Sequence, residues 1–115
     1  MKNKTMLSVA FALSLFTVSG AQAEEAISTD EMLTYCEGTG GSGVTCEIYA
    51  QAVYDTYRVL VATAELPRII CVKQPAPSRD TVIKEYVTWA KADAQLANVP
   101  AAQTMLRYLT QRFPC

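Results

Sequence analysis

The 115-residue chain has no histidine. Both the commonest general base and the commonest metal ligand are therefore missing. The sequence also has no G-x-S-x-G, H-E-x-x-H or P-loop pattern, so the usual signatures of hydrolases, zinc peptidases and nucleotide-binding proteins are absent. Its four cysteines, Cys36, Cys46, Cys71 and Cys115, are separated by 9, 24 and 43 residues. No C-x-x-C pair offers the close ligands that structural zinc sites usually draw on. Neither a metal nor any other cofactor is expected. Cationic charge is also sparse, and a nucleic-acid partner is not expected.

The N-terminus reads "MKNKTMLSVAFALSLFTVSGAQAEE". Lys2 and Lys4 precede an apolar run over residues 7–18, and Ala21 and Ala23 form an A-x-A site. This is the pattern of a secretory signal peptide spanning residues 1–23. The run is short for a membrane span and no comparable one follows, so no membrane span is expected after leader removal. Residues 24–115 are expected to form one small domain. Two of the ten Lys+Arg lie in the leader, which leaves 8 against 11 Asp+Glu, a net charge near −3. A domain of this size buries a modest core and often needs covalent support.

All four cysteines lie in the exported part, where an even count reads as a disulfide framework. Four cysteines allow three connectivities. The favoured pairing is 36–46, closing the glycine-rich loop "EGTGGSGVT", with 71–115 closing a long loop and tying down the C-terminus.

The periodicity predicts four helices. Ser28 and Glu31 form a capping-box pattern opening a helix that runs to about Cys36. A second helix is expected from Thr45 to about Glu65, with Cys46, Tyr49, Ala50, Val53, Tyr57, Leu60, Val61 and Ala64 on one face. Ile48, Ala52 and Val59 add a second apolar flank, the mark of a helix that is central or that also packs a partner chain. In the proline-rich connector "LPRIICVKQPAPS", Ile69 and Ile70 are expected to point inward. Ser78 caps a third, amphipathic helix through "RDTVIKEYVTWAKAD". A fourth starts near Pro100 and stops at Pro114, with Ala101, Ala102, Met105, Leu106, Leu109 and Phe113 as its buried stripe. The expected fold is all-α, a small four-helix bundle stapled by two disulfides.

The carboxylates offer little chemistry. Glu47, Asp55 and Glu85 occupy positions read as solvated, with Asp55 expected to pair with Arg58. Tyr49, Tyr57, Tyr86 and Trp89 fall in apolar arcs and read as core. Tyr54 lies at the edge of the polar stripe, where a tyrosine suits partner contact. The residues point away from an enzyme and toward a binding or structural role.

Five segments carry a resemblance: "MLTYC"; "CEIYAQAVYD" with Cys46, Tyr49 and Asp55; "IICV" with Cys71; "VIKEYVTWA"; and the closing "VPAAQTMLRYLTQRFPC". Over roughly residues 31–115 the chain resembles the Tai/Rap family, the immunity proteins of type VI secretion amidases. The Phe-Pro-Cys ending is the most specific match. The chain departs from the family in having Ile48 and Ala52 where glycines are frequent, and "VKQPAP" where a proline usually follows the third cysteine sooner. The resemblance implies a periplasmic, non-enzymatic protein that binds a cognate amidase toxin and blocks its active-site cleft, often as a homodimer. The connection "KADAQLAN" is a candidate plug, with Lys91, Asp93, Gln95 and Asn98 as toxin-binding candidates beside Tyr54. The alternative is a small periplasmic acid-activated chaperone. Without histidine, such a protein would need carboxylates as its trigger, at about pH 4 or lower.

Overall fold

The structure is a computed structural model describing residues 25–38 and 43–115; residues 1–24, with the expected signal peptide, and residues 39–42 of the glycine-rich loop lie outside the described residues. Four helices follow in order: α1 Thr29–Cys36, α2 Gly43–Ala62, α3 Arg79–Lys91 and α4 Ala101–Arg112, with a 3-10 turn, Ala94–Leu96, between α3 and α4. The described residues contain no strand, only isolated bridges between Ser28 and Pro100 and between Ile70 and Pro114. The fold is the expected all-α bundle.

Local chemistry sets the helix starts. The Ser28 hydroxyl accepts from Glu31 N–H at 3.2 Å, and the Ser78 hydroxyl accepts from Thr81 N–H at 3.1 Å. Each satisfies a backbone donor that the first turn leaves open. Asp30 and Glu31 in the first turn of α1, and Asp80 in that of α3, suit the positive end of each helix. Gly38, just past the end of α1, has φ 74°, the left-handed backbone that glycine adopts without a Cβ penalty.

The second helix ends earlier than its periodicity suggests. It stops at Ala62, and Ala64, expected on its buried face, is exposed with φ 60°. Glu65 and Leu66 N–H both donate back to the Leu60 carbonyl. Pro67 disfavours a helical conformation at Leu66, and the chain must reverse to bring the connector back onto α2. It is anchored there by the buried Tyr57, whose hydroxyl oxygen accepts from Ile69 N–H at 2.9 Å and Ile70 N–H at 3.0 Å. Ile70 is buried beside Tyr57 and Phe113, while Ile69 is 47% exposed. The expectation that both point inward is corrected: successive side chains of extended backbone face opposite ways.

The main core joins Met32 of α1, Cys46 of α2, Tyr86 and Ala90 of α3, and Ala101, Met105 and Tyr108 of α4. The buried stripe of α4 is rotated from the expected one. Thr104 and Tyr108 are inside, whereas Ala102, Leu106 and Leu109 are half-buried. Tyr57 and Tyr86 are buried as expected, and Tyr49 and Trp89 are half-buried against the same core.

Both disulfides follow the favoured pairing. Cys36–Cys46, with Cα atoms 4.9 Å apart, joins the end of α1 to the start of α2. Cys71–Cys115, with Cα atoms 5.0 Å apart, joins the connector to the C-terminal residue. Beside the second, Cys71 N–H donates to the Phe113 carbonyl at 2.8 Å.

Candidate partner-binding surface

The segment joining α3 to α4 is held from both sides. Lys91 ends α3, exposed, with Nζ 2.5 Å from Glu37 Oε1 at the end of α1. An exposed pair of this kind contributes little stability, but it links the two helix ends. Asp93 caps the 3-10 turn, its Oδ1 accepting from Gln95 N–H at 3.0 Å. Leu96 is buried, while Gln95 and Asn98 are exposed. Asp30 N–H donates to the Ala97 carbonyl and Thr29 N–H to that of Val99, at 3.0 and 2.9 Å. Residues 91–98 therefore form a short tied loop whose polar side chains face outward. The structure brings Lys91, Asp93, Gln95 and Asn98 into this one segment.

Tyr54 lies elsewhere. It is half-buried, stacked on Tyr57 with ring centroids 6.3 Å apart, and lines a hollow beside the connector. Among the described residues no hydrogen bond or ring contact joins it to the 91–98 loop.

Beneath the loop is a buried polar cluster with no counterpart in the sequence reading. Thr29 and Thr104 are fully buried. The Thr29 hydroxyl donates to the Val99 carbonyl at 2.7 Å and stands 2.8 Å from the Thr104 hydroxyl. Tyr86 Oη stands 2.8 Å from Thr104 Oγ1, which also faces the Ala101 carbonyl at 3.0 Å. Hydrogen accounting fixes the directions. With its own hydrogen committed to Val99, Thr29 accepts from Thr104, whose single hydrogen is shared with Ala101, and Tyr86 donates to Thr104. These bonds join α1, α3 and α4 directly under the 91–98 loop. Position supplied the only sequence signal: Thr104 sits one turn after Ala101 on the apolar stripe, and Thr29 directly follows the cap.

Glu85, read from sequence as a solvated charge, is instead a clamp between α3 and α4. Its Oε2 accepts from Tyr108 Oη at 2.8 Å and from Arg112 Nε at 2.9 Å. The Arg112 bond, and then the Tyr108 bond, hold the Glu85 carboxyl below the usual carboxylate range. Burial, reinforced by the bond to Glu85, pushes the Tyr108 phenol up to about 12. A lowered folded pKa stabilises above the unfolded value, near 4.5, and that contribution is lost as pH falls through the folded value. A raised phenol stabilises below about pH 10 and loses its contribution as pH rises toward 12. Glu85→Gln is therefore expected to flatten the acid limb of stability measured by denaturant midpoint. Parallel acid limbs for variant and wild type would remove this role. The expected Asp55–Arg58 pair is not formed: Asp55 Oδ1 accepts from Gln51 Nε2 at 2.8 Å, one turn back.

The second apolar flank of α2 is uncovered. Val44, Ile48 and Val59 are 56, 65 and 60% exposed, and Ala52 is exposed between them. From Glu24 to Tyr57 the sequence has seven carboxylates and no Lys or Arg; one of them, Glu37, is paired with Lys91 of α3. Among the described residues no group of three or more Cys, Asp or Glu could hold a metal ion, and no helix is long and apolar enough to cross a membrane.

A small, doubly stapled helical domain that presents a tied polar loop and an open apolar helix face has the make-up of a binding protein. The family model of the Rap1a immunity proteins matches residues 21–115, and the chain belongs to that family. No curated protein and no solved structure matches it. Membership implies immunity against a toxin protein as partner, and two disulfides suit an oxidising compartment.

Proposed function

We propose that this chain is a periplasmic immunity protein that binds a type VI secretion peptidoglycan amidase and blocks its active-site cleft. Membership of the Rap1a family carries the reading. The leader pattern over residues 1–23 and the two disulfides support export of residues 24–115 as one domain. The protein acts by occlusion, without catalysis of its own. The 91–98 loop is the plug, because its polar side chains project from a backbone tied to α1 on a satisfied buried network, and a blocking element must be held rigidly. The net negative charge of residues 24–115 steers a toxin with a basic face, raising the association rate more than the affinity. The open flank of α2 pairs two copies into a homodimer, its apolar residues covered by the same residues of the second copy.

The test is titration of the oxidised mature domain with the amidase encoded beside its gene, followed by a peptidoglycan cleavage assay. Saturable binding with lost cleavage is expected. Replacing Lys91, Gln95 and Asn98 by Ala together with Asp93→Asn, which keeps an oxygen for the cap on Gln95 N–H, is expected to weaken binding by about tenfold or more with a nearly unchanged melting temperature. Binding that leaves cleavage intact would overturn the occlusion mechanism. An unchanged affinity of the fourfold variant would move the contact surface off the loop. Sedimentation at micromolar concentration reads the dimer separately, and a monomer mass there would remove it.

A further inference from the structure

The connector between α2 and α3 is bordered by two hollows whose charge runs against that of the domain. The first, about 550 Å³, lies between α2, the connector and the start of α3. Val72, Val82, Leu109 and Phe113 give it an apolar floor, and Arg58 and Arg79 are its only charged lining residues. The second, about 540 Å³, shares Ala76, Pro77 and Phe113 with the first; its charged lining residues are Lys73 and Arg112. Four cations and no carboxylate thus surround the two hollows, in a mature chain that has more acids than bases.

Arg112 is engaged by Glu85. Arg58 and Arg79 have no ion pair or hydrogen bond among the described residues. Two unengaged guanidiniums over an apolar floor match a carboxylate on an apolar body, since guanidinium presents paired donors to the two carboxylate oxygens. The volume falls within the range of small-ligand sites. The remaining polar groups narrow the class. Gln74 Oε1 is occupied by Ala76 N–H, leaving its amide nitrogen free to donate. Gln51 donates to Asp55, leaving its oxygen free to accept. Tyr54 adds a hydroxyl. A peptide amide uses both a donor and an acceptor, which a fatty acid chain does not.

The geometry points to a binding site for the free C-terminal end of an apolar peptide in the hollow between α2, the connector and α3, with Arg58 and Arg79 holding the terminal carboxylate. The Gln51, Gln74 and Tyr54 groups meet the last peptide amides, and the apolar floor takes the last side chains. This site is separate from the 91–98 loop and does not depend on the toxin reading.

The test uses the oxidised, ¹⁵N-labelled mature domain and three probes: N-acetyl-Ala-Leu-Phe with a free carboxylate, the same peptide as its C-terminal amide, and dodecanoate. The free acid is expected to shift amide signals of Tyr54, Val72, Gln74 and Leu109 in a saturable way, with the amide form weaker by about tenfold. Arg58→Gln with Arg79→Gln is expected to reduce free-acid binding by at least the same factor. Arg107→Gln, which removes an exposed α4 cation that lines neither hollow, leaves it within about twofold. Both arginines in the double variant are exposed, so the fold is retained, checked by an unchanged melting temperature. Equal binding of acid and amide, no saturable shift with the free acid, or an unaffected double variant would each overturn the site. Saturable binding of dodecanoate alone would overturn the peptide assignment.

Discussion

Cys115→Ser is expected to lower the melting temperature by roughly 15–30 °C. The Cys71–Cys115 bridge spans a sequence separation of 44. In the chain-entropy model a loop of that length is worth about 4 kcal/mol, and in a domain of this size each kcal/mol moves the midpoint by about 4–8 °C. Local geometry adds to the loss. The bridge holds the Ile70–Pro114 pairing and the bond from Cys71 N–H to the Phe113 carbonyl, and these bring Ile70 and Phe113 together around Tyr57. Without it the last residues fray from α4, and the connector loses its second anchor. Opening the 36–46 bridge, separation 10, is expected to cost less, about 3 kcal/mol, because the shorter loop restricts the unfolded chain less. Thermal denaturation of the Cys115→Ser and Cys36→Ser/Cys46→Ser variants measures both effects. A Cys115→Ser midpoint within about 3 °C of wild type would show that the terminal cysteine is not a staple, and a loss from opening the 36–46 bridge as large as that from Cys115→Ser would contradict the loop-length ranking.

The second large effect is expected at Thr104. Thr104→Val keeps the shape and removes the hydroxyl on which Thr29, Tyr86 and the Ala101 carbonyl converge. The Tyr86 hydroxyl, inside a side chain only 3% exposed, loses the Thr104 oxygen 2.8 Å away and keeps only the weaker contact with Thr29. A buried donor left unpaired costs about 1–3 kcal/mol, so a loss of about 2–3 kcal/mol is expected. Tyr86→Phe removes donor and need together and is expected to cost about 1 kcal/mol. That order, Thr104→Val worse than Tyr86→Phe, distinguishes a hydrogen-bond hub from simple packing. The reverse order in urea denaturation would contradict the hub. The same substitution loosens the floor under the 91–98 loop, so weakened partner binding is expected to accompany lost stability.

Features with local causes were legible in the sequence. Ser28 and Ser78 start helices because a side-chain oxygen three residues from an open N–H is a local contact. The 36–46 pairing is favoured by the short glycine loop that it closes. The outer flank of α2 was visible because helical spacing separates two apolar sides. Features set by distant partners were not legible. The end of α2 depends on Tyr57 receiving Ile69 and Ile70, twelve and thirteen residues further along the chain. Glu85 looks solvated until Tyr108 and Arg112, 23 and 27 residues away, close on it. Thr104 reads as neutral on an apolar stripe until α1, α3 and α4 are assembled. The polar groups of the 91–98 loop are visible in the sequence; its ties to Asp30 and Thr29 are not, because they are backbone bonds.

The most direct measurement of the immunity account is rescue in cells. The cognate amidase is directed to the periplasm, and this chain is co-expressed either complete or lacking residues 1–23. Growth restored by the complete chain, and not by the leaderless one, is the predicted result. Lysis with both, at equal and verified protein levels, would contradict the account.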